Sequence, residues 1–127
     1  FVRRSKFEVV KQRTIEMNRI CMERVEEATG YSRALSKDQI AFVLEVRAKG
    51  TGRPMVVAST HLHWDPRECD VKLVQAILIA EQLSALRDSL GPSCPLILAG
   101  DFNSTPQSGV YGFLKSGSVG AGHADWQ

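Results

Sequence analysis

Three apolar runs and one long helical pattern, in a set order, limit what this chain can fold into. Ile40–Val46 and Met55–Thr60 read as strands, joined by the turn-forming stretch Lys49-Gly50-Thr51-Gly52-Arg53-Pro54, so the pair predicts a β-hairpin. A helix follows, because Val71, Val74, Ile77, Leu78, Leu83 and Leu86 recur on one face while Lys72, Glu81 and Arg87 fall off it. Asp65 ahead of Pro66 and Glu68 has the form of an N-cap, with Asp70 as a rival, and Gly91-Pro92 marks the end. Pro95–Ala99 is apolar throughout, the pattern of a strand buried on both faces. Strands with a helix between them predict a layered α/β fold.

The remaining stretches carry weaker signals. Lys6–Val10 reads as a short strand and Tyr31–Asp38 as a polar loop. Met17, Ile20, Cys21 and Val25 recur at helical spacing over Thr14–Glu27, although an irregular loop fits nearly as well. After the last strand, Gly100–Gly109 reads as a loop and Val110–Lys115 as a short helix closed near Gly117.

Composition excludes several classes. The 127 residues are 43% apolar and 24% charged, as in ordinary globular domains. The apolar run around Ala76–Ala80 is broken by Gln75, Glu81 and Gln82, far short of a membrane span. The net charge of +2 does not by itself announce a nucleic-acid binder. The early basic residues Arg3, Arg4, Lys6, Lys11 and Arg13 read better as a solvated strand edge than as a phosphate patch. Three scattered cysteines, Cys21, Cys69 and Cys94, form no ligand or disulfide pattern and favour a reducing, cytoplasmic setting, with nucleus or mitochondrion as alternatives. The start lacks both a Met and an apolar leader core, as expected of a piece of a longer protein.

Chemistry concentrates where two apolar strands stop. One end reads Ser59-Thr60-His61-Leu62-His63-Trp64-Asp65-Pro66 and the other Gly100-Asp101-Phe102-Asn103-Ser104-Thr105-Pro106. By strand alternation His61 and His63 share one side, as do Asp101 and Asn103, with Phe102 turned to the core. If the strands are neighbours, four polar groups converge on one rim. Taken singly each motif has a plain reading. His61 and His63 could be a zinc pair, but no Cys or third His stands at ligand spacing, and Asp-x-Asn after a strand is often only a turn. The combination, with a helix between, is more specific.

Thr-His-Leu-His-Trp-Asp-Pro, then Asp-Val-Lys-Leu-Val-Gln on a helix, then Gly-Asp-Phe-Asn-Ser-Thr-Pro-x-Ser-Gly-Val-Tyr, resembles the endonuclease/exonuclease/phosphatase superfamily. Within it the chain is similar to the branch of carbon-catabolite-repressor-type deadenylases, nocturnin, angel proteins and 2′-phosphodiesterases. The Asp70–Gln75 helix start and the His61–Pro66 loop resemble the deadenylases. The segment from Asp101 through Gly117-Ser118 to His123-Ala124-Asp125-Trp126 is similar to the 2′-phosphodiesterase.

The resemblance implies a four-layered α/β sandwich of the deoxyribonuclease I type, incomplete at both ends, with residues 1–127 as the central portion of one domain. It implies magnesium, or manganese, held in part by Asp101 and Asn103. Asp101 would orient and deprotonate water or ligate metal, Asn103 would hold a phosphate oxygen or a metal-bound water, and His61 would donate to the phosphate. Pro66 would pack on an adenine ring. The implied activity is 3′-to-5′ removal of poly(A) from RNA with release of AMP, with deadenylase-complex subunits as candidate protein partners and no membrane. Alternatives are a 2′,5′-oligoadenylate phosphodiesterase, a dinucleotide-phosphate phosphatase, and a catalytically incomplete or purely interacting fragment. The family's metal-binding Glu lies upstream of anything here and its closing Asp-His pair downstream; His123 lacks the strand context to replace it. This slice alone is expected to be inactive.

Overall fold

Alternation along the hairpin sorts the sheet into two unlike faces. In a computed structural model, which describes residues 1–26 and 29–126, the elements run β1 (Phe7–Glu16), α1 (Met17–Arg24), α2 (Thr29–Leu35), β2 (Ile40–Ala48), β3 (Pro54–His61), α3 (Cys69–Leu90), β4 (Leu96–Asp101) and α4 (Gly109–Ser116). The strands form one sheet in the order β1-β2-β3-β4, antiparallel at the first two junctions and parallel at β3/β4. The parallel junction follows from the connection, since a 22-residue helix carries the chain back across the sheet between the two strands.

Ala41 and Val43 of β2 and Val56 and Ala58 of β3 are buried, and pack with Leu73, Ala76, Ile79 and Leu83 of α3. Removing a side chain of Leu or Ile size from water stabilises by about 1.5–3 kcal/mol, so this layer holds α3 to the sheet. A second cluster joins Val71, Val74 and Leu78 of the same helix to Cys21 of α1 and Ala34 of α2. The apolar residues of α3 therefore divide between two contacts rather than lining one face. Among the described residues no helix is long and apolar enough to cross a membrane.

Four local expectations change. The helix expected over Thr14–Glu27 is present as α1, which carries Met17, Ile20 and Cys21, but it starts only at Met17 because β1 continues to Glu16 in its pairing with β2, from Phe7↔Ala48 to Glu16↔Ile40; the end of that expected helix, Glu27, lies outside the described residues. Tyr31–Asp38 is not all loop, since α2 reaches Leu35 and buries Ala34. A seven-residue helix has too few turns for periodicity to stand out from polar composition. Neither Asp65 nor Asp70 caps α3; Glu68 holds the cap position without a side-chain bond, and Asp65 is tied into a turn by accepting from the Arg67 N–H at 2.9 Å. Finally, β4 is not buried on both faces: Ile97 is 47% exposed at the sheet edge. It lies with Phe42 on the face opposite α3, which no element among the described residues covers.

Candidate active site

The parallel β3/β4 register sets Thr60 beside Gly100 and His61 beside Asp101. Only glycine serves at position 100. Its φ is 144°, and a Cβ there would lie 1.9 Å from the Thr60 carbonyl oxygen. Thr60 is itself anchored, its hydroxyl donating to the Ile40 carbonyl at 2.9 Å. The pairing continues one residue beyond the strands, where the Leu62 N–H donates to the Asp101 carbonyl at 2.9 Å.

His61 and Asp101 thus stand side by side on the uncovered face, with side chains 70% and 65% exposed. His61 Nε2 lies 3.8 Å from Asp101 Oδ2, beyond direct hydrogen-bond range but close enough for one small group to touch both. Asp101 Oδ1 accepts from the Asn103 N–H at 2.9 Å, closing a turn that puts Asn103 at φ 45°, a left-handed conformation Asn tolerates. From there the Asn103 side chain reaches back, and Nδ2 donates to the Leu62 carbonyl at 2.9 Å. Phe102 packs against the core, as alternation requires.

The four-residue rim is therefore a three-residue one. His61, Asp101 and Asn103 come together, whereas His63 is buried at 6% exposure. Strand pairing ends at His61, so the two-residue alternation no longer governs position 63. His63 Nε2 instead lies 2.5 Å from a Glu68 carboxylate oxygen. Glu68 also meets Lys37 at 2.8 Å, and this ammonium, ahead of His63, lowers the carboxyl's pKa. Pro66 is exposed in the turn between Asp65 and Glu68, where Glu68 N–H donates to the Asp65 carbonyl. The guanidinium of Arg67 holds the Asp65 carboxyl well below its ordinary range.

Three residues of the site's surroundings stand in a segment that the sequence marked without giving their partners. Asp70, Lys72 and Gln75 interrupt the apolar stretch of α3 yet are 2%, 5% and 0% exposed. Each grips the segment below the site or its neighbour: Asp70 faces the Arg33 guanidinium at 2.6 Å, Lys72 Nζ donates to the Asp65 carbonyl, and Gln75 Oε1 accepts from the His63 N–H. In the sequence Asp70 was a rival cap, Lys72 fell off the apolar face, and the Asp70–Gln75 segment carried part of the family resemblance. Trp64, 68% exposed, borders a cleft of about 560 Å³ with His61, Ile40 and Phe42.

His123 is engaged elsewhere. Its Nδ1 accepts from the Asp125 N–H, while Asp125 Oδ2 accepts from the Gly109 N–H at 2.7 Å, at the start of α4. Gly109 leaves room for this clasp, since a Cβ would press on Leu73 and His123.

A hard divalent cation prefers carboxylate, carboxamide and water oxygens. Asp101 and the Asn103 carboxamide fit that chemistry as part of a shell. Among the described residues no group of three or more His, Cys, Asp or Glu side chains could complete one.

The chain matches the Endonuclease/Exonuclease/phosphatase family over residues 1–126. It is 33% identical to the CCR4-Not complex 3′-5′-exoribonuclease subunit Ccr4 of Mycosarcoma maydis, covering 99% of this chain and 22% of that protein. It is 35% identical to the CCR4-NOT transcription complex subunit 6-like of Danio rerio, covering 100% of this chain and 27% of the relative. Among solved structures, ANGEL2, a 2′,3′-cyclic phosphatase, in complex with adenosine-2′,3′-vanadate superposes with a TM-score of 0.73 at 31% identity, over 91% of this chain and 31% of the other. The human Nocturnin catalytic domain gives 0.72 at 25% identity, over 91% and 37%. The chain thus spans about a quarter of the length of these curated relatives.

Proposed function

This chain belongs to the endonuclease/exonuclease/phosphatase family, and on that premise we propose that it is the central portion of a single catalytic domain that cleaves RNA from the 3′ end, preferring poly(A) and releasing AMP. The observation that carries the reading is the His61/Asp101 register, with Asn103 folded back beside it. It offers one anion, one imidazole and one carboxamide at an open rim, an arrangement suited to a phosphodiester.

In this reading Asp101 Oδ2 orients the attacking water and takes its proton, because Oδ1 is committed to the turn. His61 donates to a non-bridging phosphate oxygen, where charge grows in the transition state. Asn103 Nδ2 is turned to Leu62, which leaves the carboxamide oxygen as the other end of the group. Magnesium, or manganese, held partly by Asp101 and Asn103 would neutralise charge on the scissile phosphate. Pro66, exposed on the loop that follows His61, would present an apolar face to adenine.

We further propose subunits of a deadenylase complex as partners and the cytoplasm as the compartment. The relatives named as CCR4-NOT components support the first. Three unpaired cysteines, two of them buried in the core, support the second.

The test uses the full-length protein with magnesium on poly(A), mixed-sequence RNA, 2′,5′-oligoadenylate and RNA ending in a 2′,3′-cyclic phosphate. Faster release of AMP from poly(A) than from the other three is expected. Base-stacking contacts are worth roughly 1–3 kcal/mol, so Pro66→Ala should reduce the poly(A) preference about tenfold while slowing mixed RNA little. Preferential turnover of the 2′,5′ linkage or of the cyclic end would replace the deadenylase assignment.

A further inference from the structure

The peptide unit between Leu62 and His63 is gripped at both ends. Its carbonyl accepts from Asn103 Nδ2 at 2.9 Å, and its N–H donates to Gln75 Oε1 at 2.9 Å. Neither amide is free to turn over. A backbone carbonyl can only accept, so the Asn103 nitrogen must face it; a backbone N–H can only donate, so the Gln75 oxygen must face that. Gln75 is in turn held from behind, its Nε2 donating to Gln39 Oε1 at 2.9 Å. Gln75 is wholly buried in a helix that otherwise buries mainly apolar residues, where an unpaired amide would be destabilising. Helix packing alone would be served as well by Leu or Met.

We propose that Gln75 is a positioning residue for the reaction: with Gln39 it fixes the plane of the Leu62–His63 peptide and, through the Leu62 carbonyl, the direction in which Asn103 presents its carboxamide oxygen. The chain of bonds runs from Gln39, just ahead of β2, through α3 and the loop after β3, to the turn after β4. It accounts for a polar residue at the end of the Asp70–Gln75 segment. The inference rests on the catalytic reading of Asn103 given above.

A double-mutant cycle on turnover by the full-length protein tests it. Gln75→Met keeps volume and removes both hydrogen bonds. It should lower kcat roughly tenfold to a hundredfold, the usual effect of losing a group that orients a site residue, with KM within about twofold. Gln75→Glu keeps an acceptor for the His63 N–H and should restore most of kcat. In an Asn103→Ala background, Gln75→Met should cost nothing more. Gln39→Leu, at a half-buried position, should give a smaller loss of kcat that likewise vanishes with Asn103→Ala, and it serves should Gln75→Met not fold. Losses that add to that of Asn103→Ala, or full turnover in both Gln75→Met and Gln39→Leu, would overturn the inference. Normal turnover by Asn103→Ala itself would instead remove the catalytic reading, and the inference with it.

Discussion

The carbonyl oxygen of Thr60 occupies the space in which a side chain at Gly100 would begin, 1.9 Å from an ideal Cβ. This close approach lets β4 run beside β3 up to the last paired residues, His61 and Asp101. Gly100→Ala must push the strands apart and also adopt a φ near 144° that Ala resists. Clash and strain of this kind place it among the severe substitutions, on the order of 3 kcal/mol or more. Chemical denaturation of the full-length protein should show that loss together with little activity; a near-normal midpoint would contradict the packing described.

Asp101→Asn separates geometry from charge. An Asn oxygen can still accept from the Asn103 N–H, so the turn is expected to persist. What disappears is the anion beside His61. Loss of one preorganised charge typically costs about a hundredfold to a thousandfold, and of a base or ligand more. Turnover should fall at least a thousandfold while RNA binding stays within severalfold, as measured by single-turnover cleavage and filter binding. Near-normal cleavage would remove Asp101 from the chemistry.

Acid should loosen the loop that carries His63 and Pro66. Lys37 lowers the Glu68 pKa and Arg67 lowers that of Asp65, so both carboxyls are stronger acids folded than unfolded. Their contributions are full above the unfolded values near about 4 and disappear as pH falls through the folded ones. Lys37→Met should lower Tm slightly at pH 7, since both partners are partly exposed, and the gap to wild type should narrow below about pH 4. Melting curves from pH 3 to pH 7 check this; a gap that does not change with pH would show that Lys37 acts only by packing.

The sequence by itself determined much of this protein: the β2–β3 hairpin, the body and C-terminal end of α3, the short helix near Gly117, and the two strand ends bearing His61, Asp101 and Asn103. These rest on local rules, periodicity and turn chemistry, which hold over a few residues whatever packs nearby. Tertiary structure decided what depends on neighbours far along the chain. Pairing with β2 carried β1 through Glu16, so the helix that holds Met17, Ile20 and Cys21 starts three residues later than expected. The end of pairing at His61 released His63 from its alternation and turned it inward to Glu68. A sheet face that no described residue covers left Ile97 exposed, with Phe42, in a run that reads as buried. Tertiary packing gave Asp70, Lys72 and Gln75 their partners, because a helical pattern cannot say which distant side chain or backbone group a polar residue meets.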